Sequence, residues 1–215
     1  WSTKNLGAQA LIGPESFGKY YAWGIPEPYT GSNPPNVDGD KNHYGKDLNA
    51  LEEYKIIKAV TELDNSKSYQ LMPDFDAATC YYYELKKENK ITDVDPNSVW
   101  FTPTKGQFEE LLSKCTWVWN AALEGYEVVS NVKTEDNKNV TLFMPAAGFK
   151  ENGNTHNIGH YAYYWTSTPF EGDNDAWCMH ISGPHRNYSS EDHYPRYRGL
   201  SIRPVKAKTA SANLH

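Results

Sequence analysis

The chain has no run of Lys or Arg, and no apolar stretch approaches the roughly 20 residues that a membrane-crossing helix needs. With a formal net charge of −6 and a pI near 5.6, it also lacks the basic footprint that phosphate-backbone binding requires. Nucleic acid is therefore excluded as a partner, and so is insertion into a membrane by a helix. Cysteine is sparse: Cys80, Cys115 and Cys178 are odd in number and show no Cys-x-x-Cys spacing. This argues against a zinc site and against a disulfide framework, and reads as three buried free thiols. Also missing are a Gly-x-Ser-x-Gly elbow, a phosphate-binding Gly-rich loop, a His-Glu-x-x-His helix and a dinucleotide fingerprint, so no familiar catalytic apparatus is encoded.

Two partial metal patterns fail on inspection. Asp38-Gly39-Asp40-Lys41-Asn42 has the first three ligand positions of a calcium loop, but His43 stands where the sharp turn needs Gly and Asn49 where a bidentate Glu belongs, which excludes an EF-hand and leaves a solvated acidic turn, with a looser calcium site as the alternative. His156 and His160 are four apart, yet Gly153 and Gly159 and the absence of helical periodicity make both loop residues, with His160 at the rim of a surface. No metal and no cofactor is expected.

What the chain does have is aromatic surface. Its 16 Tyr and 7 Trp offset a hydrophobic share of only 39% and a mean hydropathy of −0.75, enough to fold around a core. The 13 Pro and 15 Gly are scattered throughout and predict many turns and irregular loops. The 215 residues suit one domain, 1–205, followed by a polar tail, 206–215. Trp1 in first position marks a processed or excised domain.

Periodicity predicts the elements. The first forty-odd residues are too densely punctuated by Gly and Pro for helices and read as short strands joined by turns, with aromatic anchors at Tyr20, Tyr21 and Trp23. Asp47 to Val60 suits a helix at its start and a strand at its end. After Pro73, Asp74 is placed to cap a helix whose Ala77, Ala78, Tyr81, Tyr82 and Leu85 share one face. Thr104-Lys105-Gly106-Gln107 is a capping box, and Phe108, Leu111, Leu112 and Cys115 follow at helical spacing. From Thr116 the period changes to two, with strand-like runs at 126–132, 140–144, 163–167, 176–182 and 200–205. The expectation is an α+β fold: two short helices with antiparallel sheets and long irregular loops.

The C-terminal third carries the functional signal. In 176–182, Trp177, Met179 and Ile181 alternate with Ala176, Cys178, His180 and Ser182, so that one face packs while the other carries His180 and Ser182 outward. The next segment holds His185, Asn187, Tyr188, Ser189, Ser190, Asp192, His193, Tyr194, Arg196 and Tyr197 with no aliphatic residue. Rigid amphipathic tyrosines among Ser, Asn and His are the composition of an adaptable binding surface. These twelve residues, His180 to Tyr197, are the candidate ligand contacts. Glu191 and Asp192 are unplaced carboxylates, read as surface or contact groups and not as catalysts.

Several segments, in order, resemble the Fibrobacter succinogenes major paralogous domain family, which has a C-type-lectin-like fold related to that of the formylglycine-generating enzyme. They are Trp1 to Ala8, Tyr20 to Gly24, Asp76-Ala77-Ala78, Pro103-Thr104 with Phe108 to Leu112, Cys115 to Trp119, Phe143 to Gly148, Tyr164 to Thr168 and Gly199 to Val205. The long stretch from Thr30 to Gln70 departs from the family. The resemblance implies a bacterial surface or secreted protein whose C-terminal strands and loops face a ligand. The segment Trp165 to Val205 is also similar to the variable region of proteins diversified by retroelements, where Asn, Tyr, Ser, His and Asp dominate. Together these imply a non-catalytic recognition domain on a bacterial cell surface or phage virion, binding a protein or glycan. One alternative is a pilus-tip or adhesin subunit that binds glycan. The other is a hydrolase or modifying enzyme of the formylglycine-generating type, although Cys178 lacks the neighbouring cysteine that chemistry uses. The Glu-Pro-Asn, Gln-Pro-Asp and Trp-Asn-Asp tripeptides of calcium-dependent sugar binding are absent; Glu27-Pro28-Tyr29 and Asp173-Asn174-Asp175 only partly match them.

Overall fold

The computed structural model describes residues 1–31, 43–61, 67–88, 99–172, 174–183 and 188–206, with the backbone alone at 86 and 188–191. Within them the chain is α+β, with most of its regular structure in antiparallel strands. Asp38 to Asn42, and the tail beyond Lys206, lie outside the described residues.

The capping box forms as read and opens α3 (Lys105–Lys114): Gln107 N–H donates to Thr104 Oγ1 at 3.3 Å, and Thr104 N–H donates to Gln107 Oε1 at 2.9 Å. Phe108 and Leu111 are its buried stripe. The Asp47–Val60 stretch is both elements in succession. Asp47 caps α1 (Leu48–Glu53) by accepting from Ala50 N–H, Lys55 adopts φ 55° to end the turn, and the chain leaves as β1 (Ile57–Thr61).

The cap of α2 (Ala77–Lys87) is Asp76, not Asp74. Pro73 initiates a 3-10 turn over Pro73–Phe75, which leaves Asp74 exposed and carries the cap position two residues on. Asp76 is 1% exposed, and its carboxylate accepts from Ala78 N–H at 2.9 Å, Thr102 N–H at 2.9 Å and the Thr102 hydroxyl at 2.7 Å. Burial pushes its carboxyl above the usual range, while those bonds oppose the shift. One side chain thus starts a helix and ties it to the segment that follows β3 (Trp100–Phe101).

β1 pairs with β2 (Lys67–Leu71), and β3 pairs with β12 (Val205–Lys206). A three-stranded meander runs through β4 (Cys115–Asn120), β5 (Gly125–Lys133) and β6 (Asn139–Pro145). A small hairpin joins β7 (Phe149–Glu151) to β8 (Asn154–His156), so His156 ends a strand, where a loop was expected. The last sheet has the order β11-β10-β9, from β9 (Tyr161–Pro169), β10 (Asp175–Ser182) and β11 (Tyr188–Pro195).

Two strand expectations need correction. Residues 1–31 form no strand; they hold a 3-10 turn at Pro14–Ser16 and isolated bridges at Tyr21 and Pro28. Their Gly and Pro interrupt any continuous ladder, so the segment laces itself bond by bond against the chain's other end. Ser2 N–H donates to Pro204 O, Leu6 N–H to Ile202 O, and Tyr21 and Leu200 exchange both backbone bonds. For the same reason the 200–205 run contributes only isolated bridges before β12.

Alternation along β9 and β10 gives the molecule two cores, one on each side of this sheet. Tyr163, Trp165, Ala176 and Cys178 point into a core with Leu6, Trp23, Leu51 and Ile56. Ala162, Tyr164, Met179 and Ile181 point into the other, with Phe108, Trp117, Tyr126 and Met144. The expectation that one face of 176–182 stands outward is therefore corrected: β10 is the central strand and is packed on both sides.

Candidate ligand-binding face

Where the first core reaches the surface it ends in rings. His180 stands opposite Tyr163 in the ladder, and the two rings are parallel to within 1° at a centroid distance of 4.6 Å. Tyr161 continues the stack at 5.4 Å from His180. Tyr194 meets Tyr163 at 63° and 5.2 Å, Phe149 meets Tyr163 edge-on at 5.3 Å, and His156 lies over Phe149 at 5.1 Å. Cross-strand aromatic pairs of this kind hold one another in fixed rotamers.

Charged groups border the rings. The Arg198 guanidinium sits 4.9 Å from the Tyr194 centroid and 5.1 Å from that of Phe149, and its Nε donates to Glu151 Oε1 at 2.9 Å. Tyr197, 37% exposed, donates its hydroxyl to the same Glu151 oxygen at 3.3 Å. His180 Nδ1 lies 2.6 Å from Asp192 Oδ2; an ionised carboxylate only accepts, so the imidazole donates. Burial pushes the Tyr194 phenol well above the usual tyrosine range and raises that of Tyr163, so both are neutral hydrogen-bonding groups at physiological pH.

The structure divides the twelve candidate contacts. His180, Asp192 and Tyr194 share one face of the sheet, because Asp192 and Tyr194 stand opposite Cys178 and Ala176. His193 stands opposite Trp177 on the other face. There its ring stacks on Phe170 at 3.9 Å and 8°, and its Nδ1 lies 2.7 Å from Asp175 Oδ2. Ser182 is half-buried at the end of β10, its carbonyl accepting from the Tyr126 hydroxyl. Tyr188, Ser189 and Ser190 lie on β11, a strand outside the strand-like runs read from the sequence. His185 and Asn187 lie outside the described residues.

Arg196 is not a surface contact. It is 0% exposed, and its guanidinium donates to the carbonyls of Asp175 at 3.0 Å, His43 at 3.0 Å and Lys46 at 2.7 Å, with its centre 5.1 Å from the Trp23 ring. It staples the end of β11 to the 43–46 segment, and composition alone does not separate such an arginine from an exposed one.

Sequence reasoning missed Tyr161, Phe149, Glu151 and Arg198. A period-two reading carried two residues further upstream would have found Tyr161 beside Tyr163; nothing local marks the other three, which come from a different hairpin and the turn after β11.

Two other features bear on the chemistry. Cys178, on the same side of the sheet as His180, is a buried free thiol that burial holds well above the ordinary cysteine range, so it stays protonated. Among the described residues, no three His, Cys, Asp or Glu side chains converge as a metal-binding group. A groove of about 290 Å³ opens between α3 and the meander, lined by Trp1, Leu111, Val128, Val140 and Leu142, none of which belongs to the ring face. No helix among the described residues is long and apolar enough to cross a membrane.

No curated protein and no solved structure matches the chain. A family model described as a domain of unknown function (DUF8237) matches residues 129–205, less than half of the chain but a span that holds every residue of the ring face.

Proposed function

We propose that the chain is a non-catalytic recognition domain of C-type-lectin-like fold that binds a protein or glycan through the ring face of β9–β11, on a bacterial cell surface or phage virion. The observation that carries this reading is the ring network Tyr161, Tyr163, His180 and Tyr194. It is anchored in a core on one side and bordered by Asp192, Glu151 and Arg198 on the other. Immobilised aromatic surface with polar groups at its border is the composition of an interaction hot spot, because little side-chain entropy is lost on binding. The fold assignment draws support from short helices, antiparallel sheets and chain ends laced together. The non-catalytic reading draws on the neutral, buried Cys178 and on the His180 and His193 Nδ1 atoms, which are held by Asp192 and Asp175. Diversification by a retroelement is part of the same proposal; comparison of sibling genes, with changes confined to the stretch around β11, is its signature.

The test is a screen of the purified chain against arrayed glycans and surface proteins, run beside the double variant Tyr161→Ser/Tyr197→Ser. A ligand captured by the parent and lost by the variant supports the face. A ligand bound equally by both refutes it.

A further inference from the structure

β11 is the terminal strand of its sheet, and it is joined to β10 by more than the ladder. Asp192 stands opposite Cys178 but reaches diagonally to His180, two residues along β10 and across the register shift between Cys178 and His180. His193 stands opposite Trp177 and reaches diagonally the other way, to Asp175. The two imidazole–carboxylate pairs, at 2.6 and 2.7 Å, lie on opposite faces of the sheet and have opposite polarity: histidine on β10 in one, on β11 in the other. Each imidazole is braced by a parallel ring from outside the pair, Tyr163 of β9 for His180 and Phe170 of the β9–β10 turn for His193. Beyond the strand's end, buried Arg196 fixes the chain to the 43–46 segment.

We infer that the two pairs are reciprocal clips that hold β11 in register from both faces. His180, Asp192, His193 and Asp175 are then positioning residues, and ligand contact falls to the tyrosines beside them. An isolated surface ion pair contributes little, because two mobile side chains must be ordered to form it. Here the stacked rings have already removed that freedom from the imidazoles, and a charge-assisted bond on each face resists twisting of an end strand about its own axis. The clips also free the remaining positions of β11 from having to stabilise the fold. That last consequence rests on the recognition reading above; the clips themselves do not.

The experiment follows backbone amide exchange on the full chain for the parent, Asp192→Ala, Asp175→Ala, the double variant, and Asp192→Asn, which keeps an acceptor oxygen in place. Asp192→Ala is expected to speed exchange of β11 amides about tenfold, with the double variant faster still and the β4–β6 meander unchanged. Asp192→Asn is expected to stay within about threefold of the parent. Unchanged β11 exchange in the double variant, acceleration spread evenly over the molecule, or Asn behaving like Ala would each overturn the inference. Because exchange is read without ligand, failure here leaves the binding face standing, and failure of the binding screen leaves the clips standing.

Discussion

Replacing Arg196 by Ala separates the structural account of this residue from the reading that composition alone invites. Its guanidinium makes three donations to backbone carbonyls, at 2.7–3.0 Å, and lies over Trp23. Bonds from a charged donor contribute about 1.5 kcal/mol or more each, and a desolvated cation–π contact about 1–2 kcal/mol. Against this stands the burial of the charge, which pulls the guanidinium down to about 10 even with Asp175 nearby. That shift corresponds to roughly 3 kcal/mol, the net of desolvation and the Asp175 charge. Truncation removes the gains and the desolvation together but leaves buried carbonyls without a donor, so the net loss is about 3–5 kcal/mol. For a chain of this size that is a fall in Tm of roughly 6–20 °C, read by circular dichroism or calorimetry. Arg196→Lys, which has no fork to span three carbonyls, is expected to lose most of the same stability. If Arg196→Ala instead melts within about 2 °C of the parent, the buried staple is wrong and the residue returns to the candidate contacts.

Asp76→Ala removes a helix cap and orphans two buried Thr102 donors at once, so it is expected to cost about 3 kcal/mol, whereas Asp74→Ala is expected to cost under about 0.5 kcal/mol; equal denaturant midpoints for the two would contradict the cap assignment. Burial raises the Tyr20 phenol to about 12 and pushes Tyr21, Tyr44 and Tyr194 up further. An unfolded chain releases these protons near pH 10 while the folded chain keeps them, so stability is complete below pH 10 and falls as pH rises from about 10 to 12. Absorbance at about 295 nm, followed with circular dichroism, is expected to show a late class of tyrosines that ionises only as secondary structure is lost; one reversible step near pH 10 with the fold intact would refute it.

How much of this was legible in the sequence depended on whether a signal was local. The capping box at Thr104 is complete within four residues, and it formed as read. The Asp47–Val60 ambiguity reflected real content, since Asp47 begins a helix and the β-branched Ile57 and Val60 end in a strand. The cap was expected at Asp74, yet Asp76 is as good a capping residue by propensity, and only the turn started by Pro73 selects it. β11 was hidden because a strand at the end of a sheet need not alternate apolar with polar, and Tyr188 to Pro195 is polar nearly throughout. Of the twelve candidate contacts, Arg196 is buried and His193 lies on the face of the sheet opposite His180. Treating 180–197 as one surface ignored that successive strand residues point to opposite sides, which sends His193 away from His180. It also passed over the hairpin bearing Phe149 and Glu151, which long-range packing alone brings alongside.

Ligand affinity at the ring face tests the recognition role most directly, measured by titrating the ligand recovered from the array into the parent and into Tyr161→Ser/Tyr197→Ser at matched fold. The expected result is binding weakened at least about tenfold with the Tm within about 4 °C of the parent, since Tyr197 is exposed and Tyr161 sits half-buried at the edge of the core. Undiminished affinity in the variant, or affinity abolished instead by changes lining the groove at Leu111 and Leu142, would contradict it.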